Sequence, residues 1–538
     1  MADDIGWNDV GFHNPKLKTP NMNWLAKEGI ELTNHYAQPL CSPSRSALMT
    51  GKYPSNNGLS QLVVQDFSKN CLPLEHKILP QHLKELGYTT KYVGKWHLGY
   101  CDKGCLPRKR GIDEYRGILS SQTEHFKWEE MGVVHRFVND SVSLENIGTH
   151  HSIQEKSDVR EMITAHKGKD SPLFMMISTT APHTPLQVTQ EMLRVHDFLV
   201  GDDIETMNRR KYLGLVSAVD DIIGEAIQSL REAELYNNSV VIFTSDNGGA
   251  SIALQLHGLD VAPGNNYPLR SGKGTLFEGG VKVPTIYLDT RLSKTYSGSK
   301  RDFLMHISDW LPTLKQLAGS DQLEAGLDGV SQYENLRGGY SGLQKYCVRS
   351  GMLLAMTDYS VNRNESLCGA TDAAVRFKDW KLIHGTDTGL AIKDIPTEWV
   401  KPAESPELPD LLGDSCLRID ENGNQVARCL FNLKDDPHEQ SNLYDLHPEI
   451  VGQMMEMINR EKSGRVQNVY KLPLDTNNVT SRVYEGHVIP RHDFCHPQTD
   501  FPLQAVHPSC QFDISEFTEN TEYYSKYTSC SNTFLCRI

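Results

Sequence analysis

Two acidic pairs, Asp3-Asp4 and Asp246-Asn247, offer three carboxylates and an amide oxygen, hard donors of the kind that hold calcium or magnesium. Either pair alone reads first as a solvated turn; two pairs that converge would make a cation site. A basic set of Arg45, Lys95, His97, His183 and Lys273 lies between and beyond them. Lys95 and His97 stand two apart in "GKWH", so an extended backbone would project both to one side. Singly, each reads as an ordinary loop residue. As a group facing a divalent cation they would hold a small oxyanion, with positive charge neutralising ester oxygens and the histidines moving protons.

Cys41 opens the stretch "CSPSRSALMTG". Ser42 suits a helix N-cap and Pro43 the first helical position, which would place Cys41 at the positive end of a helix. A buried or disulfide-bonded cysteine is one reading. A thiolate nucleophile, lowered in pKa by the helix and Arg45, is another. Neither accounts for a hard-cation set beside it, because thiolates prefer softer metals.

The elements that must gather these residues follow from apolar spacing. Leu213, Val216, Val219, Ile223, Ile227 and Leu230 recur at intervals of three and four, which predicts a helix over 209–235 with one buried face. Residues 240–244 form a short β-branched run of the kind buried in a parallel sheet. The same rhythm predicts a helix ending at Gly87, a strand at 89–93, and strands at 173–178 and 283–288, a doubly wound α/β pattern through about residue 330. Sites in such sheets lie beyond the carboxyl ends of the strands. Lys95 and His97 follow 89–93, His183 follows 173–178, and Asp246-Asn247 follow 240–244, so three strands deliver reactive side chains to one edge. Residues 373–385 and 428–446 read as antiparallel strands with an Asp-Asp-Pro turn, then a helix over 447–461. The chain thus divides into an N-terminal domain, 1–335, a smaller α+β domain, 336–474, and a tail, 475–538, with four cysteines.

Across 538 residues the net charge is −14, with acidic and basic residues interspersed. That argues against nucleic acid as a partner and requires a local cationic cluster for any anionic substrate. No run approaches the roughly 18 apolar residues of a membrane span. Twelve scattered cysteines and Asn-x-Ser/Thr sequons at Asn139, Asn237, Asn364 and Asn478 fit an oxidising secretory route. No signal-peptide pattern precedes Asp3, so the expectation is that this chain lacks its true beginning and that Asp3 ends a central strand whose body lies upstream.

"LCSPSRSALMTG" and "GYTTKYVGKWHLG" resemble the two signatures of type I sulfatases. With "ADDIGWNDVGFHNP", "APHTPLQV", "SDNGG" and "GNNYPLRSGKGTLFEGG", roughly residues 1–450 resemble that family, most of all its arylsulfatase B (N-acetylgalactosamine-4-sulfatase) branch. The resemblance implies an alkaline-phosphatase-like fold: a large mixed, mostly parallel sheet flanked by helices, plus a smaller C-terminal α+β domain with an antiparallel sheet. It implies that a formylglycine-generating enzyme oxidises Cys41 to Cα-formylglycine during secretion, one oxygen of the hydrated aldehyde attacking sulfur and the other expelling sulfate. Carried over residue by residue, Asp3, Asp4, Asp246, Asn247 and position 41 would hold one Ca2+. Arg45 and Lys95 would stabilise the ionised diol and His97 would assist its deprotonation. Lys95, His183 and Lys273 would bind the sulfate, the last two also protonating the leaving oxygen. Implied substrates are N-acetylgalactosamine 4-sulfate units of dermatan or chondroitin sulfate, and aryl sulfates; the implied destination is the lysosome or the extracellular space. The family pattern also implies a Cys71–Cys105 disulfide. The stretch 250–264 reads as longer than its counterpart, and nothing beyond about 475 matches. Two alternatives stand: a phosphomonoesterase or phosphodiesterase of the same superfamily, and a secreted protein that binds sulfated polysaccharide without turnover.

Overall fold

The computed structural model describes residues 1–464 except positions 61, 62, 67, 69, 131, 132, 135, 202, 293, 321 and 323 and segments 251–262, 339–348, 359–370, 386–397, 406–410 and 420–424, and also describes residues 483–484 and 487–488. The elements that frame the candidate site are, in chain order, helix α1 (Cys41–Thr50), strands β1 (Thr89–Lys95) and β2 (Glu114–Ile118), helix α2 (His151–Thr164), strand β3 (Leu173–Ser178), helix α3 (Ile204–Glu232), and strands β4 (Val240–Phe243) and β5 (Ile286–Asp289).

β1 lies between β2 and β3 and runs parallel to both, with Lys91 opposite Glu114 and Thr89 opposite Leu173. β4 pairs antiparallel with β5, which pairs antiparallel with Ile30–Leu32. The run expected at 283–288 is thus strand only from Ile286, and it departs from the parallel pattern. Residues 1–3 join the two sheets. The Thr179 amide donates to the Met1 carbonyl at 3.1 Å on one side; on the other, the Ala2 amide donates to Thr244 at 2.9 Å and the Asp246 amide to Ala2 at 3.1 Å. The result is a mixed sheet, parallel at its centre.

Asp203 caps α3 by accepting from the Thr206 amide at 2.8 Å, so the helix begins earlier than its apolar spacing marks. Leu213, Val216, Val219 and Ile227 are buried, while Ile223 and Leu230 are partly buried at its margins. α2 packs beside it, and Glu155 of α2 is fully buried, its carboxylate accepting from the Thr180 amide at 3.3 Å. Burial pushes the Glu155 carboxyl up from 4.5 to about 8. A group protonated in the folded state and ionised in the unfolded chain contributes less stability as pH rises through that interval. Glu155→Gln keeps the shape without the titration, so its thermal midpoint should exceed the parent's by a few degrees at pH 7.5 and match it at pH 4.5; calorimetry at the two pH values checks this, and a constant difference would refute it.

The C-terminal part forms an antiparallel sheet of β6 (Gly351–Asp358), β7 (Thr371–Phe377), β8 (Trp380–Gly385), β9 (Leu417–Ile419) and β10 (Gln425–Asn432), in the order β6-β7-β8-β10-β9. Helix α4 (Pro448–Gly464) covers one face through Val451, Met454 and Ile458. The other face meets Leu276, Phe277 and Val281 through Leu354, Ile383 and Phe431. Of the expected 428–446 segment, only 428–432 are strand; the Asp435-Asp436-Pro437 turn leads into loop. Cys71–Cys105 and Cys416–Cys429 are disulfides. Val483–Tyr484 and His487–Val488 pair with one another, and His487 pairs with Val134. The rest of the tail, most of the 250–264 stretch, and Asn364 and Asn478 lie outside the described residues. Among the described residues no helix is long and apolar enough to cross a membrane.

Candidate active site

Leu40, in extended conformation, is the N-cap residue of α1, so the helix begins at Cys41 and Ser42 is already inside it. The expected Ser42 cap is replaced by a different bond: its hydroxyl accepts from the Val64 amide at 2.9 Å and donates to the His97 carbonyl at 3.0 Å. Every residue of α1 is buried. Arg45 stands one turn beyond Cys41, on the same helical face. Gly51 closes the helix in the left-handed region, φ 64°, where its missing Cβ removes the steric penalty.

Arg45 ties the strand ends together. Its Nε and Nη2 donate to Asp246 Oδ2 at 3.0 and 2.7 Å, and its Nη1 to the Lys95 carbonyl at 2.9 Å and Ser178 Oγ at 2.7 Å. Lys95 Nζ donates to Asp3 Oδ2 at 2.6 Å, and the Cys41 thiol lies 3.6 Å from Asp3 Oδ1. Burial pushes the Asp3 carboxyl up to about 7, against the pull of Lys95. Asp4 meets different partners because its backbone turns at φ 72°, a conformation that Asp tolerates better than most residues. Its Oδ1 accepts from Asn247 Nδ2 at 2.7 Å and its Oδ2 from Lys273 Nζ at 2.6 Å, with His183 Nε2 at 3.6 Å. Burial raises this carboxyl too, but Lys273 and His183 outweigh it and hold Asp4 well below the usual range.

β1 ends at Lys95 and His97 takes φ 51°, so the two reach the site by a turn rather than by the expected extended alternation. His97 Nε2 donates to the Val64 carbonyl at 3.0 Å; the neutral ring therefore carries its lone pair on Nδ1, which is buried with no partner among the described residues. Burial, then the charges of Lys95 and Arg45, keep the His97 pKa well below 6.5. His183 Nδ1 donates to the Thr184 carbonyl at 2.8 Å, which leaves Nε2 as its open acceptor. Burial and Lys273 push His183 down to about 3. The Cys41 thiol is pushed up to about 12, chiefly by burial. This corrects the thiolate reading: buried among carboxylates, the sulfur is a poor nucleophile as it stands.

The ten residues singled out in the sequence are thus brought into one buried cluster. Ligand atoms of Asp3, Asp4, Cys41 and His183 all lie within 4.8 Å of one another. Asp246 Oδ1 accepts from the Asp4 amide at 3.2 Å, while Asn247 Oδ1 is buried with no partner among the described residues. An unpaired amide oxygen beside three carboxylates is an arrangement a hard cation would satisfy. Ser178 escaped the sequence reading, and Ser42 was read there only as a cap, because a hydroxyl has no charge signature. Ser178 could have been found by position, since it ends the strand that precedes His183.

A family model described as Sulfatase matches residues 1–320. Arylsulfatase J of Mus musculus is 33% identical over 476 residues, which cover 86% of this chain and 74% of that protein. N-acetylgalactosamine-6-sulfatase of Mus musculus is 31% identical over 389 residues, covering 66% and 69% respectively. Among solved structures, Ps i-CgsB superposes with a TM-score of 0.69 at 25% identity, covering 90% of this chain and 95% of that one.

Proposed function

The chain belongs to the sulfatase family, and on that premise we propose that it hydrolyses sulfate monoesters of sulfated sugars and aryl alcohols through a formylglycine derived from Cys41. Sulfuric ester hydrolysis is the family's reaction; the modified residue, the cation and the sugar are our reading. The observation that carries it is the place of Cys41: buried, outside any disulfide, 3.6 Å from Asp3 and within the field of Lys95 and Lys273.

The hydrated aldehyde would supply an oxygen nucleophile and, after transfer, a second hydroxyl through which sulfate is expelled. His97 is the base we assign to that hydroxyl, its Nδ1 lone pair fixed by the Nε2–H bond to Val64. Lys95 and Arg45 offset the negative charge that develops at position 41. Lys273 and His183, both in contact with Asp4, would hold the sulfate and pass a proton to the leaving oxygen, His183 doing so only once the bound sulfate's negative charge has drawn a proton onto its Nε2. Asp3, Asp4, Asp246 and Asn247 would hold calcium, which supplies positive charge beside position 41 and the sulfate. For the natural substrate we favour N-acetylgalactosamine 4-sulfate on the motif resemblance, with the 6-sulfate as the competitor, since several matched relatives carry that name. Residues 1–335 would form the catalytic domain and 336–474 its smaller companion. Modification by a formylglycine-generating enzyme and delivery to the lysosome or cell exterior belong to the same reading, to which the exposed sequon Asn237 is suited.

Secretory expression followed by mass measurement of the Cys41 peptide should give a loss of about 18 Da relative to the thiol. The same protein should cleave an aryl sulfate far faster than the matching aryl phosphate, lose that activity to a chelator, and gain thermal stability as calcium is restored. An intact thiol in a host that modifies another sulfatase would sink the mechanism. Faster phosphate cleavage would favour the phosphatase alternative.

A further inference from the structure

Lys273 sits on a loop whose two feet, Arg270 and Glu278, come together where the Gly279 amide donates to the Arg270 carbonyl at 2.8 Å. The approach is tight: a Cβ on Gly279 would fall 2.5 Å from that carbonyl oxygen. Near its tip the loop is pinned to the site, the Lys273 amide donating to Gly249 at 3.0 Å and the Gly274 amide to Pro39 at 2.8 Å. The feet are held from outside the catalytic sheet. Glu439, just past the Asp435-Asp436-Pro437 turn, accepts from Arg270 Nη1 on its carbonyl at 2.8 Å and from the Glu278 amide on its carboxylate at 2.7 Å. Lys381 of β8 lies between two carboxylates, 3.0 Å from Glu278 and 2.8 Å from Glu439. Glu278, Lys381 and Glu439 are all at most 1% exposed. Glu439 also adopts φ 60°, a conformation a residue with a long side chain keeps only when its surroundings enforce it.

We propose that Glu439 is a positioning residue for sulfate binding: it grips both feet of the Lys273 loop and so sets where the Lys273 ammonium meets the substrate. The C-terminal sheet thereby takes part in catalysis without touching the substrate. This inference rests on the role given to Lys273 above. Three charged groups buried where the sheet meets the loop, rather than apolar contact alone, fix one register of the loop, because any shift would leave Lys381 or a carboxylate unpaired.

A double-mutant cycle tests it, with kcat and KM for 4-nitrophenyl sulfate and the inhibition constant of inorganic sulfate as readouts. In the parent, Glu439→Ala should lower kcat/KM about tenfold and weaken sulfate inhibition by a similar factor, with formylglycine content unchanged. In a Lys273→Ala background the same change should cost less than about twofold, since there is no ammonium left to place. Glu439→Gln keeps an acceptor for the Glu278 amide and should recover most of the activity. If Glu439→Ala is not secreted, Glu439→Met, which fills the same space without an acceptor for the Glu278 amide, is compared in the two backgrounds instead, a loss confined to the parent supporting the proposal. Equal losses in both backgrounds, or no loss in the parent, overturn it. Full activity of Lys273→Ala alone overturns the role of Lys273 and the proposal together, whereas a loss there with none for Glu439→Ala overturns the proposal only.

Discussion

Replacing Cys41 by serine should stop turnover and leave a sulfated enzyme behind. A serine hydroxyl can attack sulfur, and the surrounding charges would assist it: Lys95 is paired to Asp3 at 2.6 Å and Arg45 reaches both Asp246 and the Lys95 carbonyl. The resulting ester has one oxygen on its carbon, so nothing adjacent can expel sulfate, and water must cleave a sulfate ester inside a buried cluster. The expected result is a single stoichiometric release of phenol from an aryl sulfate, steady-state kcat down by ~10⁴ or more, and a mass gain of about 80 Da on the peptide containing residue 41. Cys41→Ala should give neither burst nor mass gain and should bind substrate with nearly unchanged affinity. Sustained turnover by the serine variant would show that the site works as an ordinary hydroxyl-nucleophile esterase and would remove the need for formylglycine.

Arg45→Lys should be almost as damaging as Arg45→Ala, in stability as well as rate. The guanidinium is 1% exposed and spends its donors on Asp246, the Lys95 carbonyl and Ser178 at once. An ammonium is a point charge that cannot reproduce that fork. Alanine leaves Asp246 buried without its partner, a loss of about 3–5 kcal/mol in denaturant unfolding. With the ends of β1 and β3 no longer held to α1, kcat should fall by about 1000-fold even where the variant folds. Wild-type stability and rate in Arg45→Lys would mean that charge alone, not its geometry, is what the position provides.

Much of this site was legible beforehand because it is built from charged side chains at strand ends. Asp246, Lys95 and His183 each follow a run of apolar, β-branched residues, and that position rule needs only the sequence. The C-terminal strands were legible from alternation at 373–385. Three features were not. The antiparallel turn of β5 depends on its pairing with β4 and Ile30–Leu32, which no local pattern encodes. The His97 tautomer is set by a backbone carbonyl, that of Val64, which any residue type could present. Glu439 was not singled out, because it lies within the 428–446 segment read only as strand and turn and nothing in "DDPHEQ" distinguishes it; only the fold reveals that one of the four charged or ionisable side chains there points inward, onto Lys381.

The burial of α1 also fixes an order in time. A side chain 1% exposed within a helix whose every residue is covered offers no surface on which another protein could act. Any enzymatic oxidation of Cys41 must therefore happen on the extended chain, before the sheet closes over it. On the proposed mechanism each new molecule would run a single race between modification and folding, and one that folded first would stay inert for its lifetime. The specific activity of a preparation would then report the outcome of that race, and slowing the closure of the fold would raise it without altering any residue of the mature site.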